Sequence, residues 1–273
     1  MRTLLSWSTG KDSAWALHVL RQQAGVDVVG LVTTINAAFD RVAMHGVRRA
    51  LVEAQAEAAG LPLHVLAIPH PCPNAEYERI MGAFVVRQVA EGIGAMAFGD
   101  LFLEDIRRYR EAKLAGTGLT PLFPLWGIET GQLARTMIDG GLEAHVACLD
   151  PAKLPARFAG RRYDAALLAE LPAGVDPCAE NGEFHTFASA GPMFRTPIAV
   201  DVGETVTRDG FVFCDLVPAD GFEFPSPRRA EGALSARREK VPVVSKTRLR
   251  HEGRMRGPST RGEVKSPLTN SAE

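Results

Sequence analysis

The chain is organised around the stretch Leu4-Leu5-Ser6-Trp7-Ser8-Thr9-Gly10-Lys11-Asp12-Ser13-Ala14-Trp15-Ala16-Leu17. An apolar run, a turn of small residues with one lysine, and an apolar helical pattern predict a strand, a tight loop and a helix N-terminus. The first N–H groups of a helix lack partners within it, and the helix dipole adds positive charge there. We therefore predict a phosphate-binding loop in which Ser8, Thr9 and Gly10 admit an anion and Lys11 faces solvent and phosphate.

Gly10 is the loop residue that we expect to supply a positive φ if the turn requires one. A Walker A loop is excluded, because that motif requires glycine at position 5 and serine or threonine at position 12. An ordinary strand-to-helix turn, in which Ser8 or Ser13 only caps the helix, stays open as the alternative.

The loop resembles the pyrophosphate-binding loop of the ATP pyrophosphatase (PP-loop) superfamily, whose usual form is Ser-Gly-Gly-Lys-Asp-Ser. Residues 10–13 match that form, and Thr9 stands in place of one glycine, which predicts a slightly stiffer loop. The resemblance implies that the loop binds the β and γ phosphates of ATP. It also implies that Asp12 helps to hold Mg2+ and that ATP is cleaved to AMP and pyrophosphate.

Composition indicates a globular cytoplasmic protein. The 273 residues are 46% hydrophobic and 23% charged, and no apolar run approaches the length that spans a bilayer, so we expect no membrane association. The sequence also lacks a secretory leader pattern at its N-terminus. Four widely separated cysteines predict free thiols and argue against a zinc site or a disulfide framework: Cys72, Cys148, Cys178 and Cys214.

Strands and helices alternate along the first half of the chain. Apolar runs predict strands over residues 28–34, 63–68 and 95–98, and helical spacing predicts helices over 13–25, 45–59, 75–92 and 103–115. This alternation predicts an α/β fold with a doubly wound, mostly parallel, Rossmann-like sheet. Ligands of such sheets bind at the carboxyl ends of the strands. The loop at 8–13, Thr33 with Thr34, and Gly99 with Asp100 should therefore face one crevice.

The second half predicts a smaller C-terminal α+β lobe. We expect a helix capped by Thr130, a strand over 144–149, a helix over 163–171, a polar stretch over 175–187 with little periodicity, and a hairpin at Asp209-Gly210. The predicted organisation is a PP-loop ATP-binding domain at 1–140, a substrate-side lobe at 141–224 and a basic, disordered tail at 225–273.

Charge is distributed unevenly. From residue 228 onward there are twelve Lys or Arg and five Glu, so the tail carries +7 and the preceding body −8. A run of charge is usually a solvated surface, so we do not favour nucleic acid as a partner.

A second polar cluster lies between Asp176 and Phe187. Glu180 and Glu183, an Asn181-Gly182 turn and His185 supply acceptors, donors and a titratable group within a short segment. Such groups suit binding of a polar or cationic substrate, orientation of ammonia, or proton transfer near neutral pH. The alternative is a plain turn with solvated glutamates and a core histidine.

Five stretches in order resemble the diphthine-ammonia ligase family. They are residues 8–13; 41–42 with 44–47; 99–100 with 103–105 and 107–110; 121–127; and 180–187 with 191–194. The resemblance covers residues 1–224, both predicted lobes. It implies that a carboxylate attacks the α-phosphate of ATP to form an acyl-adenylate, which ammonia then converts to an amide.

The resemblance also assigns roles to individual residues. The predicted catalytic residues are Lys11, Asp100, Glu183 and His185. The predicted nucleotide-binding residues are Ser8, Thr9, Gly10, Lys11, Asp12, Ser13, Thr33 and Gly99, with Asp12 also binding the metal. The predicted substrate-binding residues are Glu104, Arg107, Glu180, Asn181, Gly182, Glu183, His185 and Thr186.

Two other functions stay open. One is a protein that binds or senses ATP without turning it over, and the other is a tRNA-modifying PP-loop enzyme. The expected partners are ATP, ammonia and a carboxylate on either a small molecule or a modified protein side chain, and a homo-oligomer is compatible with the sequence.

Overall fold

A computed structural model describes residues 1–43 and 45–219 of the chain. The predicted tail at 225–273 and Met44 of the family-like stretch lie outside the described residues. The strands are β1 Arg2–Ser6, β2 Asp27–Asn36, β3 Arg41–Val42, β4 Leu63–Ile68, β5 Ala95–Ala97, β6 Thr120–Leu122, β7 Glu143–Leu149, β8 Phe184–Ala190, β9 Val200–Arg208 and β10 Phe211–Pro218. The helices are α1 Lys11–Gln22, α2 Arg49–Ala59, α3 Asn74–Ala90, α4 Glu104–Leu114, α5 Thr130–Asp139 and α6 Ala165–Glu170, with a 3₁₀ turn at Ala156–Phe158.

The first sheet confirms the predicted doubly wound α/β fold. Its parallel strands follow the order β4-β2-β1-β5-β6, and β3 pairs antiparallel with the last two residues of β2. The strand order reverses between β1 and β5, which is where open α/β sheets bind ligands. The loop after β1 and the Gly99-Asp100 stretch after β5 flank this switch point.

Helices cover both faces of the first sheet, and adjacent β1 residues, which point to opposite sides, pack against different helices. Leu5 packs with α1 and α2 residues such as Leu17 and Leu51. Leu4 packs on the other face with α3 residues such as Phe84 and with Phe98. Both strand faces are apolar, as buried parallel strands require.

The second sheet is antiparallel, in the order β8-β7-β10-β9, and confirms the smaller α+β lobe. Its hairpin turns at Asp209 and Gly210, both with positive φ (51° and 80°), as predicted. One hydrophobic core contains Leu17 of α1 and Phe187 of β8 together, so the two sheets share an interior. The boundary between residues 140 and 141 stays a prediction.

Some element predictions were wrong in detail. The helix expected from residue 45 begins at Arg49, because β3 and a turn occupy the residues before it. Helix α5 is capped by the carboxylate of Glu129, which accepts the N–H groups of Gly131 and Gln132, rather than by Thr130. The polar stretch at 175–187, for which little periodicity gave no element prediction, enters strand β8 at Phe184.

None of the helices in residues 1–43 and 45–219 is long and apolar enough to cross a membrane.

Candidate functional site

The loop after β1 leads directly into α1, as predicted, but Thr9 takes the positive φ (71°). Gly10 is extended, with φ −81°. A β-branched residue rarely adopts a positive φ, because its Cβ approaches its own carbonyl. The carbonyl of Thr9 is fixed by the N–H of Ala188 (2.9 Å) and the amide of Gln55 (3.0 Å). The second sheet therefore helps to hold the loop in this conformation.

Strand β8 covers the loop. The N–H of Lys11 donates to the hydroxyl of Thr186 at 3.0 Å, and a Cβ at Gly10 would lie 3.2 Å from the carbonyl oxygen of Thr186. Thr9 is 0% exposed and Lys11 is 2% exposed. The expectation that Lys11 faces solvent was wrong, because the second sheet closes over this end of α1.

The ammonium group of Lys11 lies among polar and aromatic partners. Its Nζ donates to Asp12 Oδ2 at 2.9 Å and to the carbonyl oxygen of Cys178. It also lies 5.4 and 5.5 Å from the ring centres of Tyr163 and Phe184. Burial lowers the pKa of Lys11, but the charge of Asp12 and the other neighbouring groups outweigh it, so the pKa is raised and the ammonium is retained.

Glu180 connects the second polar cluster to the end of β5. Its Oε1 accepts the N–H of Leu101 at 2.7 Å. Burial, followed by the charges of Asp12 and Asp100, raises the pKa of Glu180 to about 7, although the backbone donors oppose the shift. Glu180 therefore gains and loses a proton near neutral pH, at a position within electrostatic range of Asp12.

Asp100 lies near Glu180 but is held by Arg110. Arg110 contacts the two carboxylate oxygens of Asp100 at 2.5 and 3.1 Å. This bidentate ion pair fixes the carboxylate and offsets its charge. The predicted catalytic Asp100 thus lies at the crevice as expected, with a partner that the sequence analysis did not assign.

Glu183 is 4% exposed and is positioned by its own loop. Its Oε1 accepts the N–H of Asp176 (3.0 Å) and the side-chain amide of Asn181 (3.2 Å). Its Oε2 is buried and has no hydrogen-bond partner among the described residues. Because a buried carboxylate oxygen without a partner is costly, this atom is available to a ligand.

His185 stacks on His45, a residue for which the sequence analysis proposed no role. The ring centres are 4.1 Å apart at an interplanar angle of 20°. His45 Nδ1 donates to the carbonyl oxygen of Ser8 at 2.6 Å. Burial lowers the pKa of both histidines, and the charge of Lys11 acts in the same direction. Both rings are therefore neutral at pH 7.

The remaining predicted residues divide into two groups. The hydroxyls of Ser8 and Ser13 lie 3.2 Å apart beside the loop, and Thr33 has a buried hydroxyl without a partner in the described part of the chain. A Cβ at Gly99 would lie 3.0 Å from the backbone of α1 at Asp12 and Ser13, so a larger residue would require the backbone to shift.

Glu104 and Arg107, by contrast, lie on α4, and among the described residues no hydrogen bond or ion pair joins them to the loop. Glu104 is exposed. Arg107 bonds Glu111 at 2.8 Å and lies 4.7 Å from the ring centre of Trp126.

Gln55 is the clearest site residue that sequence reasoning missed. It is fully buried, accepts the indole N–H of Trp7 at 2.8 Å, and donates to the carbonyls of Thr9 and Ala188. It occupies the apolar face of α2, one turn after Leu51. A polar residue on the buried face of a helix was the available signal.

The site offers few protein ligands to a metal ion. No group of three or more His, Cys, Asp or Glu side chains in residues 1–43 and 45–219 is arranged to hold one. Asp12 Oδ1 is buried without a partner in the same residues, while Oδ2 binds Lys11. Mg2+ commonly uses one or two carboxylates together with phosphate oxygens and waters, and Asp12 fits that mode.

Comparisons with known proteins match both halves of the chain. The family model described as the diphthamide synthase N-terminal domain matches residues 1–118, and that of the C-terminal domain matches residues 129–217. A diphthine–ammonia ligase from Rattus norvegicus is 30% identical over 181 residues, which are 60% of this chain and 67% of that protein. The Homo sapiens protein of the same name is 27% identical over 239 residues, 79% of this chain and 89% of the relative. The Danio rerio protein of the same name is 28% identical over 238 residues, which are 79% of this chain and 92% of that relative.

Proposed function

Since this chain belongs to the diphthamide synthase family, we propose that it is an ATP-dependent ligase that joins ammonia to a carboxylate and forms AMP. The relatives are named diphthine–ammonia ligases. The observation that carries the proposal is the meeting of three segments around Lys11: the loop at 8–13, the Gly99-Asp100 stretch and the segment at 176–186.

In the first step the substrate carboxylate attacks the α-phosphorus of ATP. The bond to the pyrophosphate oxygen breaks and an acyl-adenylate forms. Lys11, the hydroxyls of Ser8 and Ser13 and the N-terminus of α1 stabilise the charge that develops on the pyrophosphate. To do this, Lys11 exchanges its bond to the Cys178 carbonyl for one to phosphate. Asp12 would hold Mg2+, which neutralises phosphate charge when bound.

In the second step ammonia attacks the acyl carbon, AMP leaves, and the nitrogen loses a proton as the amide forms. Glu180 is suited to accept that proton, because its pKa is raised to about 7. The unpartnered oxygen of Glu183 and the neutral ring of His185 are suited to orient the nitrogen or the substrate. Asp100, whose carboxylate is fixed by Arg110, lies on the same side of the crevice as Glu180.

The substrate is a carboxylate on a small metabolite or on a modified protein side chain. The name of the relatives refers to diphthine, and the same carboxylate chemistry serves either source. Incubation with cell extract divided at a molecular-mass cut-off separates the two: activity that follows the small-molecule fraction identifies a metabolite.

The test is to incubate the protein with Mg2+, ammonium and ATP labelled at the α-phosphate, with and without extract. We expect labelled AMP with pyrophosphate, dependent on extract and absent in Lys11→Met. Arg79→Ala is the control, because Arg79 is exposed and, within residues 1–43 and 45–219, bonds only Glu76 on α3. Labelled ADP in place of AMP would refute the proposal.

A second candidate is a protein that binds ATP without turning it over. It is favoured by the burial of Lys11, which is 2% exposed and already bonded to protein groups. Tight ATP binding without AMP under every condition of the same experiment would support this candidate over the ligase.

A further inference from the structure

Two carbonyl groups of the loop at 8–13 are held by side chains that lie outside it. His45, in the segment between β3 and α2, donates from Nδ1 to the carbonyl oxygen of Ser8 at 2.6 Å. Gln55, on α2, donates from Nε2 to the carbonyl oxygen of Thr9 at 3.0 Å. The proposed function gives no role to either side chain.

These two bonds set the direction of two peptide units. A peptide unit is planar and trans, so its C=O and its N–H point to opposite sides of the chain. Since the Ser8 carbonyl points to His45, the N–H of Thr9 points away from that ring. Since the Thr9 carbonyl points to Gln55, the N–H of Gly10 points away from that amide. The direction of both N–H groups therefore depends on side chains outside the loop.

The N–H groups of Thr9 and Gly10 are free to bind an anion. Within residues 1–43 and 45–219, neither of them donates a hydrogen bond to another group. The φ angles of 71° at Thr9 and −81° at Gly10 form the turn that leads into α1. Successive N–H groups in a turn make a concave anion-binding site, and the N-terminus of α1 adds positive charge beside it.

Gln55 has only one possible orientation. Its Oε1 accepts the indole N–H of Trp7 at 2.8 Å, and its Nε2 also donates to the carbonyl oxygen of Ala188 at 2.6 Å. The indole can only donate and the carbonyls can only accept, so the amide cannot be reversed. Because Gln55 is fully buried, rotation of the side chain would leave these groups without partners.

His45 has only one possible tautomer when its ring is neutral. A carbonyl oxygen can only accept, so the bond to Ser8 requires the proton on Nδ1. The ring is stacked on His185 with the ring centres 4.1 Å apart, which limits its rotation. The donor is therefore aimed at the loop before any ligand binds.

We propose that His45 and Gln55 are positioning residues, which turn the N–H groups of Thr9 and Gly10 toward the phosphates of the nucleotide. The inference deepens the proposed function and rests on its assignment of phosphate to this loop. Each side chain acts through a loop carbonyl and does not itself touch the nucleotide. Donors that already point at the ligand bind its charge without a cost of reorientation.

The test measures the affinity of pyrophosphate with Mg2+ by calorimetry, in the absence of ATP and of any carboxylate substrate. His45→Phe keeps a ring beside His185 and removes the donor, so pyrophosphate should bind about threefold to tenfold more weakly. His45→Asn places an amide N–H close to the position of Nδ1 and should bind within about twofold of the wild type.

Gln55→Met removes both amide donors from a side chain of similar size, and the affinity should again fall about threefold to tenfold. Gln88→Met is the matched control. Gln88 is 2% exposed on α3, and its amide donates to Glu91 rather than to the loop, so this variant should bind as the wild type does. Circular dichroism gives the temperature at which each variant is folded, and the His45 pair decides the proposal even where Gln55→Met does not fold.

Backbone amide NMR signals separate positioning from a general loss of structure. Pyrophosphate should shift the signals of Thr9 and Gly10 in the wild type, and both shifts should be smaller in His45→Phe. Wild-type affinity in His45→Phe would overturn the proposal, and so would equal weakening in His45→Asn or Gln88→Met. Absence of pyrophosphate binding to the wild type would overturn it as well. If the variants weaken pyrophosphate binding as expected but the wild type forms no AMP, only the ligase reaction is refuted.

Discussion

Thr9 combines two unfavourable features at one residue. It holds a positive φ of 71°, and its buried hydroxyl has no partner in the described part of the chain. The conformation costs about 1 to 2 kcal/mol for a residue with a Cβ, and an unpaired buried hydroxyl costs a similar amount. The surrounding bonds from Gln55 and Ala188 must offset these costs. Strain of this kind concentrates at functional sites.

Thr9→Gly should therefore raise the free energy of unfolding by about 1 kcal/mol, since relief of strain exceeds the loss of a buried methyl group. Denaturant unfolding measures the change. Thr9→Val is the control, because it keeps the strained backbone of a β-branched residue and replaces the hydroxyl with a methyl group. A larger gain in Thr9→Val than in Thr9→Gly would show that the unpaired hydroxyl, rather than the backbone, is the main cost.

Lys11→Met should abolish AMP formation, with a loss of about 100-fold or more, because removal of one preorganised charge at a reacting phosphate has that effect. Methionine keeps much of the apolar stem against Tyr163 and Phe184. Because the Asp12 carboxylate and the Cys178 carbonyl lose their buried partner, Lys11→Met should also unfold at a lower temperature. Turnover is therefore compared at a temperature at which circular dichroism shows that the variant is folded. Turnover equal to that of the wild type would remove Lys11 from the mechanism.

Glu180 should make stability depend on pH. Its folded-state pKa of about 7 exceeds the ordinary value of 4.5, so the folded protein holds the proton more tightly than the unfolded chain. Stability relative to Glu180→Gln should therefore fall as pH rises from about 4.5 to about 7 and then level off. Denaturant unfolding at several pH values measures this, and a flat difference between the two proteins would contradict the shift.

At the scale of elements, the start of α1 is fixed from two sides. Strand β8 contacts it through Thr186, and the turn after β5 approaches it at Gly99. Any displacement of α1 therefore alters the loop that is proposed to bind phosphate. Close packing of this kind makes the position of the loop sensitive to small changes in volume.

Gly99→Ala should destabilise the protein by about 1 to 3 kcal/mol and weaken nucleotide binding, because the new Cβ would lie 3.0 Å from the backbone of Asp12 and Ser13. Thermal unfolding and nucleotide titration measure the two effects. Gly82→Ala is the opposite case, with open space around the Cβ, and should stabilise α3 by about 1 kcal/mol. Similar effects of both substitutions would refute the packing argument.

The elements that sequence predicted best are those with strong periodic patterns. The third predicted strand coincides with β4 at Leu63–Ile68, and buried parallel strands give such continuous apolar runs. Strands β3 and β6 have only two and three residues, too few for a pattern. The contact of His45 with His185 joins positions 140 residues apart in the numbering, and no local pattern encodes it. The burial of Lys11 beneath strand β8 depends on how the two sheets pack together, and sequence periodicity does not specify that packing.

At the scale of the whole molecule, ion pairs and hydrogen bonds outside the candidate site also join the elements of the two sheets. Asp215 of β10 binds Arg41 and Arg48 at 2.9 and 2.5 Å. Arg21 of α1 donates to the carbonyl of Met193 at 2.8 Å. Because of these bonds and the shared core, we expect the two sheets to unfold together in one cooperative transition.

Calorimetry should accordingly show one unfolding transition for the intact chain. A fragment of residues 1–140 should fail to fold cooperatively, because it exposes apolar residues of α1 and α5 that the second sheet buries. The intact chain is the control. Two separate transitions, or a stable fragment, would instead support independent domains on either side of residue 140.

The closed position of Lys11 has a thermodynamic consequence. If phosphate must replace the Cys178 carbonyl, the apparent nucleotide affinity is reduced by the fraction of molecules in which the segment at 176–182 has moved away. A carboxylate substrate that binds the moved segment raises that fraction. By reciprocity, nucleotide then raises the affinity for the substrate by the same factor, so the two ligands bind with positive cooperativity.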